Sequence, residues 1–189
     1  MLVFAVALAA LGRGLGYMAR RRIPVGRLGD RNAVSEDRLL EMLRELTLDA
    51  GLRRVPRLTT TSRISSPIAL GISEICIPDT ALTDLDAEQQ RSLLAHELAH
   101  LARRDPLWLD VASLIERVFW IQPLNRVANG HVARSAEFLC DDWAVRRTGS
   151  GVPLARCLGQ VAEWIQASPL GVPVAGMAEE RSLLVSRVD

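Results

Sequence analysis

Apolar side chains recur at helical spacing along much of the chain, and this pattern predicts most of its structure. The first such stretch has its apolar stripe at Leu39, Leu40, Leu43 and Leu46. We expect Asn32 or Ser35 to cap this helix, and the helix to end near Ala50, where Gly51 follows. Further helices are predicted over roughly residues 86–104, 107–121, 132–147 and 153–166.

The segment between the first two helices is instead rich in residues that favour strands. Short runs at 58–61, 68–70 and 75–77 are separated by the turn residues Ser65-Ser66-Pro67 and by Gly71. We therefore predict a small antiparallel sheet of about three strands, within an α+β fold class that is mostly helical.

The stretch 107–121 is strongly apolar but carries a polar stripe. Asp110, Ser113 and Arg117 recur at spacings of three and four residues, which places them on one face of a helix. We interpret this stretch as an amphipathic helix beneath the surface rather than a membrane span, with Trp108 and Trp120 in the core.

The amino-terminal segment 1–22 combines an apolar run, Met1–Leu11, with an arginine cluster, Arg20–Arg22. A secretory signal carries its positive charge before the apolar run, and a spanning helix needs about 20 apolar residues. We predict a partial transmembrane helix or anchor, with the arginines on the cytoplasmic side. The alternative is an apolar helix packed on the folded domain. Residues 23–33 are rich in Gly and Arg and are expected to form a linker.

The overall composition argues against several classes of function. The net charge of +1 argues against a general nucleic-acid binder, which needs a large basic surplus. The three cysteines, Cys76, Cys140 and Cys157, form no Cys-x-x-Cys pair, which disfavours a disulfide framework and a thiolate zinc ribbon. Every basic residue is an arginine, which excludes a catalytic lysine.

One pentapeptide on the predicted helix 86–104 carries the strongest chemical signal: His96-Glu97-Leu98-Ala99-His100. Histidines four residues apart lie on one helix face and can bind the same metal ion. Neutral imidazole is a good zinc ligand. Glu97 is the natural base for a zinc-bound water. Such a pentapeptide also arises by chance, so a catalytic site requires a third protein ligand elsewhere.

Glu137 is the candidate for that third ligand, on the predicted helix 132–147. Asp141 lies four residues later and on the same face, where it can accept the other ring N–H of a ligand histidine. Taken alone, this acidic pair is typical of a solvated helix face. Together with the histidine motif, it predicts a site with three protein ligands and an open fourth position.

Further residues extend the pattern around this site: Arg103-Arg104-Asp105, then Pro123, then Glu137-x-x-Cys140-Asp141. With the histidine motif, this pattern resembles the peptidase domain of the bacterial β-lactam sensor-transducer (antirepressor) membrane metallopeptidases. The resemblance implies an HExxH-type, gluzincin-like zinc metallopeptidase domain, which we assign to residues 34–189, with one Zn²⁺ per chain. It also implies the role of each site residue: His96, His100 and Glu137 as zinc ligands, Glu97 as catalytic base, and Asp141 as support for a ligand histidine.

Two residues are weaker candidates for stabilising the oxyanion. His131 lies six residues before Glu137 and does not share its helix face. Arg134 is a candidate only because its long side chain could reach the site. A surface or capping role is the alternative for the histidine, and a solvated side chain is the alternative for the arginine.

The resemblance implies a membrane-associated endopeptidase that cleaves a cytosolic protein, with a transcriptional repressor as one candidate substrate. Its peptidase domain is expected on the cytoplasmic side of the cell membrane. We expect a protein substrate and no nucleic-acid partner, and the strand at 75–77 is a candidate for pairing with an extended substrate. The alternatives are a non-catalytic zinc-binding signalling module and a prenyl-protein-type membrane protease. The sequence predicts no oligomeric state.

Overall fold

The structure is a computed structural model in which residues 12–16 and 31–167 are described. The strands are β1 (Asn32–Ala33), β2 (Arg57–Thr61), β3 (Ile68–Leu70) and β4 (Glu74–Pro78). The helices are α1 (12–16), α2 (Asp37–Asp49), α3 (Thr80–Thr83), α4 (Ala87–Arg103), α5 (Asp105–Val118), α6 (Leu124–Thr148) and α7 (Val152–Ala167). The prediction of a mostly helical chain with a small sheet is confirmed.

The sheet differs from the prediction in strand number and in direction. Its order is β1-β2-β4-β3, so β4 is an inner strand with a neighbour on each side. β3 and β4 are antiparallel, but β2 runs parallel to β4, with Leu58 opposite Ile75. The prediction of three antiparallel strands is therefore wrong, because the sheet is mixed and has four strands. Once β3 and β4 have paired, β2 can reach β4 only on the side that β3 leaves open.

β1 is absent from the predicted sheet because it is short and lies in the stretch predicted to be a linker. It spans only Asn32–Ala33 and pairs with β2. The backbone N–H of Val34 also donates to the carbonyl of Leu58 at 3.1 Å. Two residues give no alternation of apolar and polar side chains, so no strand is recognisable there from the sequence.

The two ends of α2 agree only in part with the prediction. Glu36 is its N-cap and makes no side-chain capping bond, so the prediction that Asn32 or Ser35 caps this helix is wrong. At the other end, Gly51 has a φ of 69°. This left-handed conformation favours glycine and explains why the helix stops there.

α4 lies at the centre of the described fold and carries the histidine motif. Its start is fixed by a capping box, in which Asp86 accepts from the Gln89 backbone and the Gln89 side chain accepts from the Asp86 backbone. Leu94 and Leu98 are fully buried in a core that α2, α4 and α7 share. Burial of a leucine contributes about 1.5–3 kcal/mol, so packing on several sides holds the motif in place.

The segment around α5 differs from the prediction in the position of its two tryptophans. Trp108 and Trp120 have 61% and 49% of their surface exposed, so the prediction that they lie in the core is wrong. The side chain of Asn129 on α6 donates to Ser113 Oγ at 3.4 Å and to Glu116 Oε2 at 2.7 Å. Ser113 and Glu116 therefore face α6, whereas Arg117 of the predicted polar stripe is exposed. Helical periodicity identifies two faces, but it does not say which of them is turned inwards.

No helix within residues 12–16 and 31–167 combines the length and the apolar character needed to cross a bilayer. The predicted anchor 1–22 lies outside the described residues except for α1, and the predicted linker lies outside them up to residue 30. The segment 168–189 also lies outside them.

Candidate metal centre

The two histidines of α4 lie side by side in the interior of the protein. His96 and His100 are only 6% and 8% exposed. They are one helical turn apart, so their rings project from the same face, and their Nε2 atoms lie 3.2 Å from each other. Two buried ring nitrogens at this distance need either a hydrogen or a cation between them.

Glu137 on α6 brings a carboxylate to the same point. Its Oε2 lies 3.6 Å from His96 Nε2, and its Oε1 lies 3.5 Å from His100 Nε2. Ligand atoms at tetrahedral corners around zinc, with bonds of about 2.0–2.2 Å, are about 3.3–3.6 Å apart. The observed separations of 3.2–3.6 Å are close to that range, with each Nε2 facing a different oxygen of Glu137.

A further carboxylate stands behind each histidine. Asp141 Oδ1 lies 2.9 Å from His96 Nδ1, at hydrogen-bonding distance but without full alignment of the ring N–H. Asp105 Oδ2 lies 3.0 Å from His100 Nδ1 and forms a hydrogen bond with it. An ionised carboxylate can only accept, so each Nδ1 carries the hydrogen. In the neutral form of each ring, Nε2 then presents a lone pair to the centre of the cluster.

The centre of the cluster is consequently rich in acceptors and short of positive charge. Burial alone lowers the pKa of His96, but the contacts with Asp141 and Glu137 outweigh burial and raise this pKa to about 10. The cluster therefore favours a cation at its centre, either a proton on His96 or a metal ion. Two imidazoles and one carboxylate are a donor set suited to Zn²⁺, which they would hold with one position open.

Asp105 reaches His100 because the chain reverses sharply between α4 and α5. The reversal is at Arg104, whose φ of 59° is the only positive φ of a non-glycine residue in the described part of the chain. Asp105 is the first residue of α5, where the helix N-terminus favours a negative charge. The turn thus places the side chain of Asp105 against α4.

The charge of Asp105 is maintained by its partners. Arg103 Nε donates to Asp105 Oδ2 at 3.1 Å. Burial would raise the pKa of Asp105, but the hydrogen bonds from His100 and Arg103 hold this pKa below its usual value. The carboxylate can therefore fix the ring of His100. Apart from the resemblance, the one sequence signal for this role is an acidic residue immediately after the helix that carries the histidines.

Cys140 touches the same carboxylate but is poorly suited to hold a metal. It is fully buried, and its thiol donates to Asp105 Oδ2 at 3.4 Å. Burial and the neighbouring Asp105 carboxylate raise the pKa of the thiol far above its usual value. His100, Asp105 and Cys140 are close enough to form a second group of ligand atoms. Metal binding there would require the thiolate, which this environment disfavours.

The remaining predicted residues have different surroundings. Glu97 is buried, with 6% exposure, and its charge contributes to the raised pKa of His96. His131 and Arg134 are exposed on α6 and contact each other at 3.3 Å. Six residues of helix turn His131 about 120° away from Glu137. The structure does not bring His131 into the cluster, and the oxyanion role of His131 and Arg134 stays a prediction.

Comparison with known proteins gives the family of the chain. The family model described as BlaR1 peptidase M56 matches residues 1–152, a range that contains every residue of the cluster. The chain belongs to the M56 peptidase family. The resemblance inferred from the motif is thereby confirmed.

A curated relative gives a second, more distant comparison for this M56 family member. The Protease HtpX homolog of Methanopyrus kandleri is 23% identical to the chain over 158 residues. The match covers 69% of this chain and 47% of the relative. The chain therefore spans about half the length of the curated relative that it matches.

Proposed function

We propose that the chain is a membrane-associated zinc endopeptidase in which His96, His100 and Glu137 hold one Zn²⁺. The observation that carries this proposal is the convergence of two imidazole nitrogens and one carboxylate, with contacts of 3.2–3.6 Å, in a cluster whose charge favours a cation. Membership of the M56 peptidase family supports peptidase chemistry over a purely structural metal site.

The roles of the surrounding residues follow from their positions. When bound, zinc would supply Lewis acidity towards a water molecule and towards the carbonyl of the scissile peptide. Glu97 would take the proton of the attacking water and pass it to the leaving amine. Asp141 and Asp105 would hold the two imidazole rings with Nε2 towards the ion. A site that only stabilised the fold would have no need of Glu97.

The sheet offers an edge for an extended substrate, but not at the strand that the sequence predicts. Residues 75–77 lie in β4, which is hydrogen-bonded on one side to β2 and on the other to β3, so that prediction is wrong. β3 is an outer strand, its residues are half-buried, and it contacts α4. We propose that a substrate peptide pairs with β3, where backbone hydrogen bonds give affinity without dependence on side chains.

The proposed setting is the cytoplasmic face of a membrane, with a cytosolic protein as substrate. The apolar run Met1–Leu11 followed by Arg20–Arg22 supports this orientation, as does membership of a family described by BlaR1. A transcriptional repressor is one candidate substrate. The peptidase domain is assigned to residues 34–189, as the sequence pattern suggests.

The substitution Glu97→Gln tests the proposal because it keeps the shape of the side chain and removes the base. Glu88→Gln is the matched control, since Glu88 is exposed in the first turn of the same helix. Both variants should bind zinc as the wild type does. Cleavage should fall by at least about 10²-fold in Glu97→Gln only.

The substrate is sought by comparing the protein fragments in cells that carry the wild type or Glu97→Gln. Fragments that disappear in the variant identify the substrate. Full cleavage by the variant would exclude Glu97 as the base. Zinc binding without any fragment that depends on Glu97 would favour the non-catalytic zinc-binding module.

A further inference from the structure

The hairpin formed by α5, the following turn and α6 exposes a row of large apolar side chains. We call this surface the hairpin patch and define it as Trp108, Val111, Ile115, Phe119, Trp120 and Leu124. Each has at least 38% of its surface exposed, and Leu124 reaches 66%. The first four are spaced three, four and four residues apart, so they continue along one face of α5 and into the turn.

The side of α5 away from the hairpin patch is partly buried and carries both apolar and polar side chains. The inner side of α5 is held to α6 by polar contacts, with Asn129 donating to Ser113 and Glu116. The large apolar side chains of the hairpin patch remain exposed on the other side of α5. A contiguous exposed apolar surface marks an interaction site with a protein, a ligand or a membrane.

The helix that follows the amino-terminal apolar run in the chain contacts α5 and the hairpin patch. Met1–Leu11 is followed in the chain by α1, and α1 packs on the end of α5. A Cβ added to Gly14 would lie only 3.3 Å from Val118 Cγ2, so α1 and α5 are in close contact. Arg13 also lies over the ring of Trp120, 5.5 Å from its centroid. α1, which is part of the predicted anchor 1–22, therefore lies beside the hairpin patch.

The composition of the hairpin patch suits the headgroup region of a bilayer. Tryptophan is enriched at that depth, and arginine interacts there with anionic lipids. Two tryptophans and one phenylalanine lie in the hairpin patch, and Arg13 and Arg126 are exposed on the elements beside it. α5 has 14 residues and is about 21 Å long, which is shorter than the roughly 30 Å of a hydrocarbon core. The hairpin is therefore suited to lie in the interface and not to span the membrane.

We propose that the hairpin patch docks on a lipid bilayer, alongside the amino-terminal apolar run. The inference extends the membrane part of the proposed function and is independent of the zinc chemistry. Glu137 is 13 residues beyond Leu124 on the same helix, so the rise of the helix between them is about 20 Å. The substrate class that follows is a protein whose cleavage segment is presented close to the membrane surface.

Quenching of tryptophan fluorescence by brominated phosphatidylcholine tests where the full chain meets the bilayer. The vesicles contain equal parts of that lipid and phosphatidylglycerol. Trp108 and Trp120 lie in the hairpin patch, whereas Trp143 and Trp164 lie elsewhere and are less exposed. We expect the wild type to be strongly quenched and the variant Trp108→Phe/Trp120→Phe, which keeps the other two tryptophans, to lose most of the quenching.

Partitioning onto the same vesicles without bromine tests the energetic contribution of the hairpin patch. Ile115→Ser/Phe119→Ser should weaken partitioning by about tenfold to a hundredfold. The matched control is Leu48→Ser/Ile72→Ser, which removes apolar side chains that are 76% and 70% exposed outside the hairpin patch. The control should change partitioning by less than about twofold.

Two results would overturn the proposal. Vesicle binding that neither quenches Trp108 and Trp120 nor depends on Ile115 and Phe119 would mean that the amino-terminal run acts alone. A stable dimer that forms without lipid and that Ile115→Ser/Phe119→Ser dissociates would mean that a second copy covers the hairpin patch. The Glu97→Gln variant should bind vesicles like the wild type, so failure of the docking surface and failure of the peptidase mechanism remain distinguishable.

Discussion

Two regions along α6 depart from the usual arrangement, in which apolar side chains are buried and ionisable ones are exposed. Near Glu137, ionisable groups are buried: His96, His100 and Asp105 are 6%, 8% and 5% exposed. At the start of the same helix, apolar groups are exposed, with Leu124 at 66%. The core around α2 and α4 keeps the ordinary arrangement, with its leucines fully buried.

The comparison shows that each of these regions carries an energetic cost that a partner would offset. A buried charged group costs several kcal/mol unless another charge pairs with it, and the metal centre has more acceptors than donors. An exposed apolar surface costs about 25 cal/mol for each Å² in contact with water. A cation satisfies the first region and an apolar phase satisfies the second.

Glu137→Gln should have the largest effect on the metal centre, because it removes one of three ligands and the negative charge that faces both Nε2 atoms. We expect zinc affinity to fall by more than about a hundredfold, as measured by competition with a chromophoric chelator. Leu124→Ser, on the same helix but in the hairpin patch, should leave zinc affinity unchanged. Equal losses in both variants would mean that the two regions are not separate.

Asp105→Asn should have the next largest effect, because the amide can no longer hold His100 through a charged hydrogen bond. We expect a loss of about 10- to 100-fold in zinc affinity. Asp142→Asn is the control, since Asp142 is exposed on α6 and pairs only with a surface arginine among the contacts described. An unchanged affinity in Asp105→Asn would show that this carboxylate stabilises the turn and does not position the ligand.

Zinc binding should release a proton from His96, because this histidine is protonated in the metal-free protein below a pH of about 10. Zinc affinity should then rise about tenfold for each pH unit near neutrality. Titration calorimetry in buffers of different ionisation enthalpy measures the proton directly. Binding without proton release would contradict the acceptor-rich cluster.

The raised pKa of His96 also determines how the stability of the fold depends on pH. The pKa of His96 is higher in the folded state than its ordinary value of 6.5, so the stabilisation is fully present below pH 6.5. It is lost as the pH rises towards about 10.

Arg104→Gly should have the smallest effect, because it changes only the turn that joins α4 to α5. Glycine adopts a positive φ without the penalty that other residues carry, so the free energy of unfolding should stay the same or rise by up to about 1 kcal/mol. Urea denaturation provides the measurement. Arg104→Val, which is β-branched, should destabilise the protein, and a stable valine variant would argue against the left-handed turn.

Sequence patterns predict much of the fold because the position of each helix depends mainly on residues within that helix. The stripe of leucines on α2 and the capping box at Asp86 are visible in the sequence and present in the structure. The parallel pairing of β2 with β4 is not local, because it depends on which side of β4 the intervening β3 occupies. The orientation of α5 is also not local, since periodicity gives two faces and only the contact with Asn129 distinguishes them.

The candidate metal centre shows the same division between local and non-local information. Spacing of four residues predicts that His96 and His100 share a face, and likewise Glu137 and Asp141. The position of Asp105 depends on a non-glycine residue in the left-handed conformation, for which residue type gives no warning. Its contact with His100 therefore appears only in three dimensions.

Zinc K-edge X-ray absorption of the purified chain, loaded with one equivalent of zinc, tests the central claim most directly. We predict nitrogen and oxygen ligands at about 2.0–2.2 Å, with the multiple scattering of two imidazoles and no sulfur. A sulfur ligand at about 2.3 Å would place the ion at Cys140 instead, and a chain that binds no zinc would contradict the metal centre altogether.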